Sequence, residues 1–343
     1  MEKISNYLYT GTTVPHIVEL YAKDLAVSES QIDIFHSNFL FNYMSLITNN
    51  EFLDRYVAIF RAMYLAIIAK FPNVTIVFKG RIKSLRRVEE KFNRYIIKHV
   101  NEYYILHDSF PNEDDIIKYL YRFRDLMAFR IIVSLPSCHL KKFNNIEDLE
   151  MQKQEKEIEN LRQIVNFVYK FLTSNGLDAV IASQLIDVTC ISEGKNINSK
   201  ISKYLKDYIQ SPKPNGYRAI HICFSDRFFK SETGIPMFIE FQFQTKSMND
   251  FTSFDSDHVS YELNQKESIK SYAFVKEDKE DLPDYIINAQ ERLDDLYNLN
   301  LEQLNIDLFA CRYINGVPKF NDYSGFYVPR SILSYEHISK EQH

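Results

Sequence analysis

Residues 237–245, MFIEFQFQT, alternate side-chain character at a period of two, which a β-strand satisfies and an amphipathic helix does not. On such a strand Phe238, Glu240, Gln242 and Gln244 share one face, and Phe241 and Phe243 share the other. A face carrying Glu-Gln-Gln is costly to bury without partners. It therefore either lines a wet or metal-bearing cleft or lies exposed on an edge strand. A second alternating run, YRAIHICFSD (217–226), reads as another strand. Three further stretches carry strand character: NVTIVFKG (73–80, ending on Gly80), FRIIVSL (129–135) and part of DAVIASQLIDVTCI.

Between them the apolar spacing becomes helical. Residues 15–70 repeat at i, i+3, i+4 and i+7, residues 84–106 are amphipathic, and 145–174 form a long helix closed by Asn175-Gly176. The segment after Pro283 is also helical. The expected fold is α/β (α+β): a mixed five-stranded sheet flanked by helices, with helical additions at both ends. The boundaries fall at 1–59 (N-terminal helical segment), 60–265 (central domain) and 266–343 (acidic, Tyr-rich C-terminal segment).

Composition narrows the class. No run of about 18 apolar residues marks a membrane span, and the N-terminus lacks a signal-peptide pattern. The 4 cysteines are far apart and form no CxxC pair. The chain reads as cytoplasmic and reduced. Its net charge of −5 is unevenly spread. Residues 80–98 hold seven Lys/Arg against two Glu, a net of +5, and 195–218 hold six against one, also +5. Residues 277–307 hold ten acidic against two basic, a net of −8. Basic segments in an acidic chain suit a focused anion site, or merely solvate helix faces.

The basic residues fall at chemically useful places. In FKGRIKSLRRVEEK, Arg81, Lys83 and Ser84 follow a strand and Lys91 lies along the next helix, an arrangement suited to a phosphate chain. It is neither a P-loop nor a GxGxxG turn. Asp125 precedes one strand and Glu240 lies inside another; two such carboxylates can hold Mg²⁺ against a triphosphate. In KPNGYRAIH, Pro214-Asn215-Gly216 is a turn signal that delivers Tyr217 to a strand start, with His221 on the same face. Tyr217 can stack on a base, while Lys213, Arg218 or His221 meet phosphates or base edges.

The order of these motifs resembles the synthetase domain of the RelA/SpoT family, which makes the alarmones ppGpp and pppGpp. The matching residues are Gly80, Arg81, Lys83, Ser84 and Lys91; Asp125, Leu126 and Arg130; Gly216, Tyr217, Arg218 and His221; Glu240, Gln242 and Thr245; and Asp257-His258. They span roughly residues 60–265. The resemblance implies a nucleotidyltransferase-like fold and a pyrophosphokinase that moves the β,γ-pyrophosphate of ATP to the 3′-hydroxyl of GDP or GTP, releasing AMP. It implies that Asp125 and Glu240 hold Mg²⁺, with Glu240 also activating the hydroxyl. Arg81, Lys83, Ser84, Lys91 and Arg130 would bind ATP, Arg81 and Lys83 acting at the reacting phosphates. Lys213, Asn215, Gly216, Tyr217, Arg218, His221 and Gln242 would bind the acceptor.

Three departures bear on acceptor choice. Ala128 replaces the usual glycine, Gln244 the usual arginine, and Arg87 stands where serine is common. Upstream of Gly80 only His16 and His36 occur and neither is followed by Asp, so no hydrolase domain is expected. Some single-domain relatives act as toxins that pyrophosphorylate the 3′ end of tRNA or make adenosine alarmones. Arg86, Arg87, Arg94, Lys200, Lys203 and Lys206 could then track an RNA backbone. The acidic 277–307 segment could inhibit a basic cleft or simply complete the core as a solvated helix. A non-catalytic nucleotide- or protein-binding member is a third reading. Homo-oligomerisation and an inhibitor, in cis or in trans, stay open.

Overall fold

The alternation seen in the sequence builds one sheet with two unlike faces. In the computed structural model, residues 2–7, 14–48, 50–83, 85–123, 126–140, 146–182, 199–227, 234–235, 237–254, 282–298, 311–314, 317–320 and 334–337 are described. The chain opens with helices α1 (Val14–Ala26), α2 (Gln31–Thr48) and α3 (Asn50–Lys70). Then come β1 (Thr75–Ile82), α4 (Leu85–His107), α5 (Glu113–Leu120), β2 (Met127–Ser134) and α6 (Ile146–Ser174). Short β3 (Leu177–Ala179), α7 (Ser199–Ser202) and β4 (Leu205–Asp207) lead to β5 (Ile220–Asp226) and β6 (Phe238–Thr245). The elements that follow are α8 (Lys246–Phe254), α9 (Asp284–Asn298), β7 (Cys311–Ile314), β8 (Val317–Phe320) and β9 (Ser334–His337).

The sheet is mixed, as expected, but among the described residues has seven strands rather than five, in the order β3-β5-β6-β2-β1-β9, with β4 on β5. Four of the five expected strands are present as β1, β2, β5 and β6; of the fifth, expected within 178–191, β3 takes in only Asp178 and Ala179, and 183–191 lie outside the described residues. The additions, β4 and β9, are three and four residues long, too short to show a period in sequence. β6 is an interior strand, parallel to β2 and antiparallel to β5. That removes the edge-strand explanation of its polar face. β1 runs two residues past Gly80, which pairs with Phe129 inside the ladder, and β5 begins at Ile220, three residues after Tyr217.

One face of the sheet is aromatic. Phe78 stacks on Phe129 at 5.2 Å, Phe129 on Phe241 at 5.4 Å, and Phe224 meets Phe241 edge-on at 5.7 Å. Phe60 of α3 inserts against Phe129 at 4.5 Å. α6 presents Leu161, Ile164, Val165, Val168 and Leu172, all buried at helical spacing, and packs on β2, β3 and β6. α3 runs continuously across positions 59 and 60, and its residues join one core cluster with those of the sheet.

Helices α1, α2, α4, α5 and α9 form a second packed group. Its interior contains charge. Arg292 of α9 donates to Asp33 of α2 at 2.8 Å, and His36 of α2 meets Glu89 of α4 at 2.7 Å. Tyr297 donates to Glu90 at 3.2 Å. α9 buries Ile286, Ala289, Leu293 and Leu296 and packs against α4. This part of the acidic segment is therefore a helix completing the core; residues 277–281 and 299–307 lie outside the described residues.

Candidate active site

The ladder register places the polar residues in two rows across the sheet, because paired residues project to the same face. Arg81, Ala128, Glu240 and Cys223 occupy adjacent positions on β1, β2, β6 and β5. Next to them run Lys79, Arg130, Gln242, His221 and Lys206. The face opposite the phenylalanines thus gathers charge and amide groups from five strands.

A continuous hydrogen-bond chain crosses this face. The Tyr217 hydroxyl lies 2.8 Å from His221 Nε2, and His221 Nδ1 lies 3.0 Å from Glu240 Oε1. The neutral tautomer that satisfies both contacts carries its proton on Nδ1, with Tyr217 donating to Nε2. Gln242 Nε2 donates to Glu240 Oε2 at 2.7 Å. Arg130 Nη2 donates to Gln242 Oε1 at 3.3 Å, and its Nη1 donates to Asn249 Oδ1 of α8 at 3.0 Å. The Glu240 side chain is 19% exposed, so it is held in place yet reachable. Such a carboxylate can accept a proton or offer oxygen to a hard cation. Arg130 and Gln242, assigned by resemblance to different substrates, touch one another.

The KPNGYR segment is a tight hairpin. Gly216 N–H donates to Lys213 O at 2.8 Å and Lys213 N–H donates to Tyr217 O at 3.1 Å. Gly216 is left-handed, with φ +76, the pattern of a three-residue loop ending in a bulge. Asn215 Oδ1 accepts from Tyr217 N–H at 3.2 Å, which ties the turn to the ring it presents. Lys213 Nζ lies 5.3 Å from the Tyr217 ring centre and 4.8 Å from that of Tyr208. Tyr208, buried beside His221 at 5.2 Å edge-on, was not marked by any local motif. Arg218 is exposed and donates to Ile209 O at 3.4 Å. Gln244 is fully buried and donates to Arg218 O at 2.9 Å, while its Oε1 has no partner among the described residues. The glutamine therefore anchors the hairpin backbone where the related pattern has an arginine.

On the other side of Glu240, Lys83 leaves β1. Its N–H donates to Leu126 O and its carbonyl accepts from the Tyr43 hydroxyl, both at 2.8 Å. Lys91 Nζ sits 5.0 Å from the ring centre of Tyr95 and 5.3 Å from that of Phe123. Asp125 and Ser84 lie outside the described residues, and Arg81 is placed by its backbone alone. Among the described residues no three His, Cys, Asp or Glu side chains converge as a metal site.

Of the basic residues expected to track RNA, one is buried and Arg86, Arg87 and Arg94 are half-buried. Lys206 is buried, and Arg87 and Arg94 pair with Glu90 at 2.9 and 3.3 Å. Lys203 is exposed, and the Lys200 side chain lies outside the described residues.

Fold and face together define a mixed α/β protein with a carboxylate-centred polar sheet face between a basic turn and an aromatic hairpin. The sequence model of the region found in RelA / SpoT proteins matches residues 80–266, more than half of the chain, and the protein belongs to the RelA/SpoT family. No curated protein matches it. Similar solved structures include small alarmone synthetase 2 from Bacillus subtilis, 19% identical over 76% of this chain and 97% of that one, with a TM-score of 0.30. Small alarmone synthetase 1 from Bacillus subtilis bound to its product pppGpp is 14% identical over 76% and 93%, TM-score 0.32. A GTP pyrophosphokinase family protein from Streptococcus pneumoniae is 16% identical over 76% and 97%, TM-score 0.31. No helix among the described residues is long and apolar enough to cross a membrane.

Proposed function

We propose that the protein is an ATP-dependent pyrophosphokinase that transfers the β,γ-pyrophosphate of ATP to the 3′-hydroxyl of GDP or GTP. The 3′-oxygen forms a bond to the β-phosphorus, the bond from that phosphorus to the α,β-bridging oxygen breaks, and AMP leaves. The observation that carries this reading is the Tyr217–His221–Glu240–Gln242–Arg130 chain. Glu240 accepts the hydroxyl proton, and the Nδ1–H of His221 steadies the carboxylate at 3.0 Å. Tyr217 offers a face to the acceptor base, with Asn215 and Gly216 holding the turn and Lys213, Arg218 and Gln242 lining the acceptor side. Arg81, Lys83, Lys91 and Arg130 neutralise the ATP phosphates and the Ser84 hydroxyl donates to them, since this transfer depends on positioning and charge stabilisation.

Glu240 is an oxygen donor that His221 and Gln242 hold in place, which fits Mg²⁺; Asp125 would supply the second carboxylate. The ion would neutralise charge on the phosphate chain. We place the protein in the cytoplasm, where these nucleotides are abundant.

The test is a reaction of γ-labelled ATP and Mg²⁺ with GDP, GTP, adenosine nucleotides or deacylated tRNA in parallel. Label on GDP or GTP, lost in Glu240→Gln, supports the reading. Label only on tRNA or an adenosine nucleotide replaces the acceptor assignment. No transfer to any acceptor by wild type and Glu240→Gln alike refutes catalysis and favours a binding module.

A further inference from the structure

Helix α2 lies outside the segment matched by the family, yet two consecutive residues of it bond to the segments that follow β1 and precede β6. Tyr43 donates its hydroxyl to Lys83 O at 2.8 Å, and Asn42 donates Nδ2 to Ile235 O at 3.3 Å. Both side chains are buried, Tyr43 at 1% exposure and Asn42 at 4%. Lys83 is the lysine that follows β1; Ile235 lies three residues before β6, the strand of Glu240. A buried phenol or amide that lost its acceptor would be penalised, so these bonds fix geometry as well as contribute energy.

The Lys83 backbone is also bonded on its other side, N–H to Leu126 O at 2.8 Å. Leu126 adjoins Asp125 and precedes β2. Three segments that carry the proposed ATP and metal ligands are thus tied to one another through backbone groups, and α2 supplies two of the ties. Burial pushes the Tyr43 phenol well above its ordinary range, so the hydroxyl stays protonated and remains a donor at any working pH.

We propose that Tyr43 is a positioning residue for Lys83, and that with Asn42 it sets the spacing between the phosphate-binding turn and the Glu240 strand. The inference rests on the pyrophosphokinase reading. It assigns to the N-terminal helices a part in ATP binding that the matched region alone does not contain.

Tyr43→Phe keeps the buried ring and deletes only the hydroxyl. Tyr56→Phe is the control. Tyr56 is equally buried and donates to Asp226 at 2.6 Å, at the far end of β5. We would titrate each full-length protein with a non-hydrolysable ATP analogue and Mg²⁺ by calorimetry, and measure KM for ATP and for the acceptor. The expected result is a five- to tenfold weaker analogue affinity and a matching rise in ATP KM for Tyr43→Phe, with acceptor KM unchanged. Tyr56→Phe should lower the melting temperature and leave analogue affinity at the wild-type value. A Tyr43→Phe protein that binds the analogue like wild type overturns the inference while leaving the functional reading standing. Wild-type protein that binds no analogue overturns the functional reading and the inference together.

Discussion

Gly216 offers a quantitative test of the acceptor hairpin. Its φ of +76 is a conformation that costs an L-residue about 1–2 kcal/mol. An added Cβ would also lie 3.0 Å from two ring carbons of Phe251. Phe251 is half exposed, so its ring can yield by a few tenths of an ångström and the backbone cost dominates. At about 1.4 kcal/mol per factor of ten, Gly216→Ala should depopulate the native loop about 5- to 30-fold against a displaced one. Acceptor KM should rise within that range, ATP KM should hold, and global stability should fall only slightly because the loop is peripheral. Gly216→Asn should cost less, since asparagine tolerates left-handed geometry. Steady-state kinetics on both substrates, with a Gly216→Ala/Phe251→Ala cycle, separates the two causes. Full recovery in the double variant, or a Gly216→Ala enzyme with wild-type acceptor KM, would refute the backbone argument.

Three further outcomes can be checked. Tyr217→Phe removes one neutral hydrogen bond, worth about 1 kcal/mol, and should cost about fivefold in kcat/KM, whereas Tyr217→Ala should also lose the ring and raise acceptor KM further. Arg292→Ala strands the buried Asp33 carboxylate and should destabilise by about 3–5 kcal/mol in urea unfolding, with Arg292→Met/Asp33→Leu recovering most of it. His99, stacked on Tyr119 at 4.3 Å, is shifted below its ordinary pKa by burial and then by Arg122. As pH falls through about 6.5, the unfolded chain takes up that proton before the folded one, so folding stability drops. His99→Phe keeps the stack, and its stability relative to wild type should rise from pH 7 to pH 5; a pH-independent difference would contradict this.

Period-two alternation in 237–245 was enough to place Glu240, Gln242 and Gln244 on one face and the phenylalanines on the other, because strand geometry leaves no other arrangement. The Pro-Asn-Gly signal located the left-handed residue for an equally local reason. What sequence could not carry was long-range. Nothing near Tyr43 announces Lys83, forty positions away, and Tyr208 beside His221 belongs to no motif. Lys206 reads as surface charge until the β4–β5 pairing buries it.

The position of α9 has a consequence for synthesis. It packs on α4 with some 180 residues between them, and it supplies Tyr297 beside Glu90 and Arg292 to the same buried charge network as Glu89. As the chain emerges from the ribosome, α4 and its buried glutamates must wait for residues 284–298 before the helical group can close. A nascent chain that holds every matched motif is therefore still structurally unfinished.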